Sequence, residues 1–214
     1  MPRRERDLLG ELELPDDALY GVQTERARRN FDAAGRPVRP ELIRALALVK
    51  KACCLANAET GFLDPARADA IAAACDAIVR GDHADQFVTD ALQGGAGTST
   101  NMNVNEVVAR LASRQSGLAI SALDHVNRHQ STNDVYPTAL RVAAILAVRD
   151  LEKAVTALQE AYQERERALV DVVKLGRTQL RDAVPLTLGR SSAPRPRSWP
   201  ATAGAWASAW NACA

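Results

Sequence analysis

Apolar residues recur at helical spacing in several stretches of the 214-residue chain. Residues 40–60 repeat them every three or four positions, and Pro40 stands where it can open a helix. Asp64, followed by a proline, supplies an N-cap for a second helix, which Gly81 would end. A third helix is predicted to begin near Asn103, after a polar stretch.

The strongest periodicity follows Pro137. Its spacing of three and four residues predicts one long helix with an apolar face of the kind that faces partners in a helical bundle. A lone helix could not bury such a face, so partner helices are expected. The face consists of Val148, Leu151, Val155, Leu158 and Tyr162, and Leu169 and Val172 are expected to continue it.

The two ends of the chain lack this periodicity. Residues 1–36 are polar and turn-rich, and they are predicted to form an extended arm. Residues 191–214 contain no acidic residue, hold all three tryptophans of the chain and include three prolines, which forbid a regular helix. We expect a disordered end that is foreign or out of frame after Arg190. The alternative is a natural disordered tail.

Composition agrees with a helical protein. Hydrophobic residues make up 47% and charged residues 25% of the chain, while aromatic residues make up only 4%. The net charge of +1 gives no general attraction to nucleic acid or to an anionic membrane. No signal peptide or membrane span is expected, which predicts a cytoplasmic protein. Adjacent Cys53 and Cys54 predict buried free thiols, not a disulfide or a zinc site.

Three polar segments are candidates for chemistry. The first, GGAGTSTNMN at residues 94–103, combines a sharp glycine turn with small hydroxyl and amide side chains before a helix N-terminus. Such a place suits a carboxylate or a phosphate, although for this segment taken alone a plain turn with a helix cap is the better explanation. It is not a Walker loop, because no Gly-Lys-Ser/Thr ends it.

The second segment, HVNRHQSTNDVYPT at residues 125–138, places neutral donors before the long helix. Ser131, Thr132 and Asn133 can donate to a carboxylate, or they can simply cap the helix; Asp134 is predicted to be its N-cap. His129 could be a base or a ligand, but it lacks metal-ligand spacing to any other residue.

The third segment, GRTQLRDAVPLTLG at residues 176–189, contains Gly176 and Pro185, which break the helical pattern. It is predicted to be a polar loop after the long helix.

Together and in this order, the three segments resemble the substrate-binding segments of the aspartase/fumarase superfamily of lyases. The resemblance runs from about Glu5 to Arg190. The N-terminal Leu-Leu-Gly-Glu and Tyr-Gly-Val-Gln-Thr, and Gln179 where many members have histidine, are more similar to aspartases than to fumarases. The resemblance implies a mainly α fold: an N-terminal helical lyase domain over residues 1–135, the truncated start of a long-helix bundle over 136–190, and a tail over 191–214.

The resemblance also implies roles for particular residues. The family's active site draws three segments from three subunits of a homotetramer, and it holds a small dicarboxylate or amino-acid substrate without metal or other cofactor. Carried over, the substrate-binding residues are Thr98, Ser131, Thr132, Asn133, Thr178 and Gln179.

The implied reaction is elimination of ammonia from L-aspartate to give fumarate. The family's base, a serine in a Gly-Ser-Ser loop followed by Met-Pro-Gly-Lys-x-Asn, has no counterpart here, because Ser191 and Ser192 have different neighbours. We therefore expect no catalytic base in this chain. SRQSGLAISALDHVN is also shorter than the family's segment and lacks its Pro-Asn pair, which puts in doubt the secondary anion site of fumarases.

Three functional hypotheses remain at this point. The first is an aspartate ammonia-lyase type enzyme, with a fumarate hydratase type enzyme as its variant. The second is a non-catalytic fragment that associates with helical partners. The third sets the resemblance aside and interprets the chain as a small helical scaffold whose glycine turn only caps a helix.

Overall fold

A computed structural model of the chain describes residues 2–93 and 95–192. It is mainly helical, as expected, and divides into two compact units, the first ending at Ala144 and the second beginning at Ile145. The first unit contains β1 (Arg3–Asp7), β2 (Gly10–Leu14), α1 (Val22–Asn30), α2 (Pro40–Glu59), α3 (Pro65–Arg80) and α4 (Thr98–Ser116). A short 3-10 turn (Ala84–Gln86) lies between α3 and α4, and a π-helical turn (Ala122–Val126) follows α4. Helix α5 (Thr132–Ala168) runs from the first unit into the second, which continues with β3 (Val173–Thr178), β4 (Arg181–Thr187) and α6 (Leu188–Ser192).

The core of the first unit lies between three helices. Helix α2 packs along α3, and α3 packs on α4. The buried face of α2 repeats at the spacing predicted from sequence, and α4 contributes a row of buried valines. The fully buried apolar side chains include Leu46, Ile71, Ile78, Val104, Val107 and Val108.

Helix α3 has the ends that its sequence predicts. The Asp64 side chain accepts a hydrogen bond from the Arg67 backbone N–H at 3.0 Å, which makes Asp64 the N-cap. Gly81 takes the left-handed conformation with φ 97° and ends the helix. Burial raises the pKa of the Cys75 thiol on this helix to about 12 and that of Cys54 on α2 to about 11. Cys53, Cys54 and Cys75 are free thiols, as predicted for the first two, but Cys53 is only half-buried while the other two are buried. Cys213 lies outside the described residues.

The N-terminal segment differs from the predicted extended arm. It folds into the antiparallel hairpin β1–β2, followed by α1. A carboxylate from α4 anchors α1, because Glu106 accepts hydrogen bonds from the backbone N–H groups of Gly21, Gln23 and Thr24 and from the Thr24 hydroxyl. Burial raises the pKa of the Glu106 carboxyl, against the lowering effect of these four donors. Three backbone N–H groups at the start of α1 therefore share one carboxylate that lies more than 80 residues away in sequence, which no local sequence pattern reveals.

Helix α5 confirms the predicted long helix but has different ends. It begins at Thr132, so Pro137 lies inside its second turn. It ends at Ala168, which leaves Leu169 and Val172 in the following turn and not on the predicted face. Leu151 and Leu158 on that face are 54% and 47% exposed. No helix among the described residues is long and apolar enough to cross a membrane.

The segment predicted as a polar loop is an antiparallel hairpin. Strands β3 and β4 pair from Val173–Thr187 to Thr178–Arg181, with a register shift between Leu175 and Arg177. Gly176 lies at this irregularity, where a Cβ atom would stand 2.7 Å from Leu186 and 2.9 Å from the Val184 carbonyl oxygen. Gly176 was predicted to break a helix. In the structure it lies in a β-bulge, where the two strands approach too closely for a side chain.

The N-cap of α3 offers a direct test of local stabilisation. Replacing Asp64 with alanine removes the acceptor for the Arg67 N–H and is expected to lower the free energy of unfolding by about 1 kcal/mol. Asp69→Ala, an exposed position inside the same helix, serves as the control and is expected to change it by less than about 0.5 kcal/mol. Urea unfolding measures both, and equal losses would contradict the capping role.

Candidate substrate-binding site

The first two candidate segments meet at the N-termini of two helices. Helix α4 begins at Thr98 and α5 begins at Thr132. The Asn101 side chain in the first turn of α4 donates a hydrogen bond from Nδ2 to the Thr132 Oγ1 atom at 3.2 Å. Helix N-termini carry unpaired N–H groups and the positive end of the helix dipole. Two such ends tied together form a favourable place for a carboxylate.

A cavity of about 390 Å³ lies beside these two helix ends. The glycine turn forms one wall and the first turns of α5 form the other, and none of the described lining residues is charged. Gly97 has φ 83°, and a Cβ atom there would collide with the Tyr136 ring. Glycine at this position therefore permits both the turn and the contact with α5. The lining consists of Ala91, Leu92, Gln93, Gly95, Ala96, Gly97, Asn133, Tyr136 and Pro137.

The Ser-Thr-Asn triplet occupies the start of α5. The Ser131 carbonyl accepts the N–H groups of Asp134 and Val135 at 3.1 and 3.0 Å, and its Oγ accepts the Asn133 N–H at 3.2 Å. Ser131 therefore caps the helix. The expectation that Asp134 is the cap is wrong, because α5 begins at Thr132 and its capping residue stands three positions before Asp134. The Ser131 and Asn133 side chains are exposed, while Thr132 is half-buried against α4.

Thr98 is the exposed first residue of α4, one position after the left-handed Gly97. A side chain from outside the helix accepts a hydrogen bond from a backbone N–H group in its first turn. The Gln93 Oε1 atom accepts the Thr100 backbone N–H at 2.8 Å. The third helix thus begins five residues before the predicted Asn103, because the polar TSTNMN stretch is helical and buries Asn101 and Asn103.

A buried polar cluster stands directly behind this site. The ammonium of Lys50 on α2, whose side chain is fully buried, donates to Asn127 Oδ1 and Gln130 Oε1 at 2.8 Å each. Asn127 Oδ1 also accepts from the Nδ2 atoms of Asn101 and Asn105 at 3.2 and 3.1 Å. Burial lowers the pKa of Lys50 to about 8.

Sequence reasoning missed Lys50. The sequence feature that could have identified Lys50 as buried is its place on the apolar face of α2, where it follows the buried Ile43, Leu46 and Ala47 at helical spacing. A lysine inside such a face is rare unless polar groups receive it. Its partners are distant in sequence, so only the folded chain reveals them.

His129 lies next to the triplet but turns away from it. Its Nδ1 atom is 2.8 Å from Asn57 Oδ1, and its ring stands edge to face with Phe62 at 4.7 Å between centroids. The backbone of His129 is left-handed with φ 58°. These contacts favour a structural role over a catalytic one. Within the described parts of the chain, no group of three or more His, Cys, Asp or Glu residues could hold a metal ion.

Thr178 and Gln179 belong to the second unit. Thr178 ends β3 and pairs with Arg181 across the hairpin turn. Gln179 and Leu180 form this turn with φ 51° and 64°, and both are exposed. The third segment thus presents its polar residues at the tip of a hairpin, where their side chains are available to a partner.

Comparison with known proteins places these features in a family. The family model described as lyase matches residues 10–194. The chain is 45% identical over 196 residues to the aspartate ammonia-lyase of Helicobacter pylori strain J99, which covers 88% of this chain and 42% of that protein. It is also 45% identical over 195 residues to the class II fumarate hydratase of Nitrosomonas europaea, with the same two coverages.

Solved structures agree. The fold matches a fumarate lyase:delta crystallin from Brucella melitensis in native form, with a TM-score of 0.91 and 42% identity over 99% of this chain and 51% of that chain. It matches a class II fumarase from Schistosoma mansoni with a TM-score of 0.86 and 30% identity over 92% of this chain and 43% of that chain. The chain thus spans about two fifths of the length of the curated relatives it matches.

The contact between Gly97 and Tyr136 can be tested with a matched pair of variants. Gly95→Ala and Gly97→Ala both place a side chain at φ 83°, but only position 97 meets another residue. We expect Gly97→Ala to lower the free energy of unfolding by about 1–3 kcal/mol more than Gly95→Ala, because the added methyl group displaces the Tyr136 ring. Thermal unfolding measures the difference, and equal effects would show that the contact carries no constraint.

Proposed function

The chain belongs to the lyase family that includes the aspartases and class II fumarases, and on that premise we propose that it carries substrate-binding segments of an aspartate ammonia-lyase. Its proposed substrate is L-aspartate, which would lose ammonia to give fumarate. The observation that carries the proposal is the neutral cavity beside two helix N-termini, tied by the bond between Asn101 and Thr132.

The reaction explains why neutral donors suit this place. A base removes a proton from the carbon next to the β-carboxylate, and the electron pair left behind adds a second negative charge to that carboxylate. The carbon–nitrogen bond then breaks, ammonia leaves, and the carbon–carbon double bond of fumarate forms. Fixed N–H and O–H donors aimed at the carboxylate stabilise this charge without reorganising during the reaction.

Each proposed contact residue has a place in this scheme. Thr98 at the start of α4 would hold a substrate carboxylate or the amino group. Ser131, Thr132 and Asn133 would donate to carboxylate oxygens at the start of α5. Thr178 and Gln179, at their exposed hairpin turn, would serve the active site of a neighbouring subunit.

Proton removal is not assigned to this chain. The Gly-Ser-Ser loop that supplies the base in the family does not occur in these 214 residues. His129 is occupied by Asn57 and Phe62, and it offers no replacement. The proposed contribution of the chain is therefore to bind and orient the substrate, and we assign it no cofactor.

The preference for aspartate over malate rests on two features of the sequence. Relatives of both kinds share 45% identity with the chain. The Leu-Leu-Gly-Glu arm and Gln179 are the aspartase-like features. A neutral glutamine at position 179 also removes a possible cation from the site. A fumarate hydratase remains the second candidate.

Two chimeric enzymes test the substrate. Residues 1–190 would be joined to the remaining part of the Helicobacter pylori aspartate ammonia-lyase and, separately, to that of the Nitrosomonas europaea fumarate hydratase. If this chain sets the preference, both chimeras are expected to form fumarate from L-aspartate faster than from L-malate. Fumarate formed from malate alone in both chimeras would overturn the assignment to aspartase.

The same chimeras test the role of the Thr132 hydroxyl at the start of α5, with a serine substitution as the matched control. Thr132→Val removes the hydroxyl, and we expect kcat/KM to fall by about 10–100-fold, while Thr132→Ser retains most of the activity.

The exposed face of α5 supports self-association. We propose that this face packs against α5 of other copies, as in a tetramer, and that residues 136–190 form the start of a helical bundle after an N-terminal domain of residues 1–135. The apolar side chains Leu151 and Leu158 of this face are 54% and 47% exposed in the isolated chain. Such a contiguous face is typical of a protein interface.

Sedimentation velocity tests this association. The chain is expected to sediment as an oligomer at micromolar concentration, and Leu151→Asp with Leu158→Asp should shift it to the monomer. Thr156→Asp, an exposed position off the apolar face, serves as the control and should leave the oligomer intact. A monomeric wild-type chain would refute the proposal.

A further inference from the structure

Lys50 is a buried charge that neither apolar packing nor the proposed substrate contacts explain. Its side chain is fully buried in α2, yet in the part of the chain that the structure describes it forms no ion pair. Removing an ammonium from water without an opposite charge is costly. A protein retains such a charge where it has a function, or where hydrogen bonds compensate it fully.

The polar groups around the ammonium are oriented toward it. Asn127 Nδ2 donates to the Gln130 carbonyl oxygen at 3.1 Å, and Gln130 Nε2 donates to the Val126 carbonyl oxygen at 2.9 Å. Because both amide NH₂ groups are engaged by backbone carbonyls, both amide oxygens must face Lys50. The loop between the π-helical turn and α5 is therefore folded around this ammonium.

The cluster continues from Lys50 to the proposed site. Asn101 links the two, since its Nδ2 atom donates both to Asn127 Oδ1 and to Thr132 Oγ1 at 3.2 Å. Thr132 is one of the proposed carboxylate donors. A change at Lys50 thus reaches the start of α5 through Asn127 and Asn101.

We propose that Lys50 is a positioning residue, whose buried ammonium fixes the substrate-binding loop and provides the positive charge that a dicarboxylate substrate balances. This inference rests on the proposed function. The described residues that line the cavity beside α4 and α5 carry no charge, and the Lys50 ammonium places a positive charge directly behind the proposed donors. Lys50 does not touch the substrate; it acts through Asn127 and Asn101.

Few titratable groups face Lys50. Cys53 on its own helix and Cys75 on α3 are close enough to affect it. The side chains of α4 that reach the cluster, Asn101 and Asn105, are neutral. On the loop, Arg128 donates to the Asp124 carbonyl oxygen and His129 contacts Asn57, so both point elsewhere.

The direction of the pH effect follows from burial. The pKa of Lys50 is lowered to about 8 from 10.5, so the ammonium is lost as the pH rises through about 8 in the folded chain. Affinity for a dianion should be highest below this pH and fall above it. The folded state binds fewer protons than the unfolded state between pH 8 and pH 10.5, so Lys50 itself makes unfolding less favourable as the pH rises through that window.

The test uses the 214-residue chain and succinate, an unreactive dicarboxylate whose charge is constant above pH 7. Succinate affinity would be measured by NMR titration at pH 7 and pH 9.5 for three proteins. The wild type is expected to bind about tenfold more weakly at pH 9.5. Lys50→Met should bind about tenfold more weakly at pH 7 and lose the pH dependence.

Lys51→Met is the matched control. Lys51 is the next residue of α2, but its ammonium contacts Asp76 at 2.7 Å on the partly exposed side. This variant should keep the wild-type affinity and pH profile. A Lys50→Met protein with the wild-type profile would overturn the role of Lys50.

A second measurement separates this inference from the proposed function and does not depend on a variant that folds. In the unliganded wild type, the backbone amide of Thr132 and the side-chain amide of Asn127 should titrate with the same midpoint as the Lys50 side chain. If succinate does not bind at any pH but these signals titrate together, the substrate proposal fails and the positioning role stands. If Thr132 does not respond while Lys50 titrates, the positioning role fails.

Discussion

The site depends on a lysine ammonium held inside the helical core. Lys50 receives no counter-ion among the described residues, and its charge is compensated by amide oxygens from the loop that precedes α5. An ammonium can be buried only if such dipoles are fixed toward it. This requirement couples the core to the site, because Asn127, which accepts from the lysine, is joined through Asn101 to Thr132 at the start of α5.

The remainder of the site follows from two helix starts. The glycine turn before α4 and the Ser-Thr-Asn start of α5 approach closely because Gly97 carries no side chain at the Tyr136 ring. Their small hydroxyl and amide side chains form a neutral surface at the positive ends of two helix dipoles. Elimination from a dicarboxylate needs such a surface, since negative charge increases on one carboxylate during the reaction. The chemistry proposed for the chain thus matches the electrostatics of its first unit.

The family assignment and the proposed substrate are supported by different observations. A family model over most of the chain and close structural matches establish the lyase fold. Ammonia-lyases and hydratases share this fold and much of this sequence. The identity of the chain to both kinds of relative is 45%, so the proposed preference for aspartate rests on a few side chains, such as Gln179 on the hairpin turn.

The sequence by itself determined the main helices and the residues proposed to bind substrate. Helical spacing, the Asp64 cap and Gly81 predicted α3 to the residue, because these signals are local. It did not predict the hairpins at residues 3–14 and 173–187, since strand pairing depends on partners rather than on periodicity. Only the tertiary structure decided that Lys50 is buried beneath the loop, because its partners lie about 80 residues away and no local pattern records them.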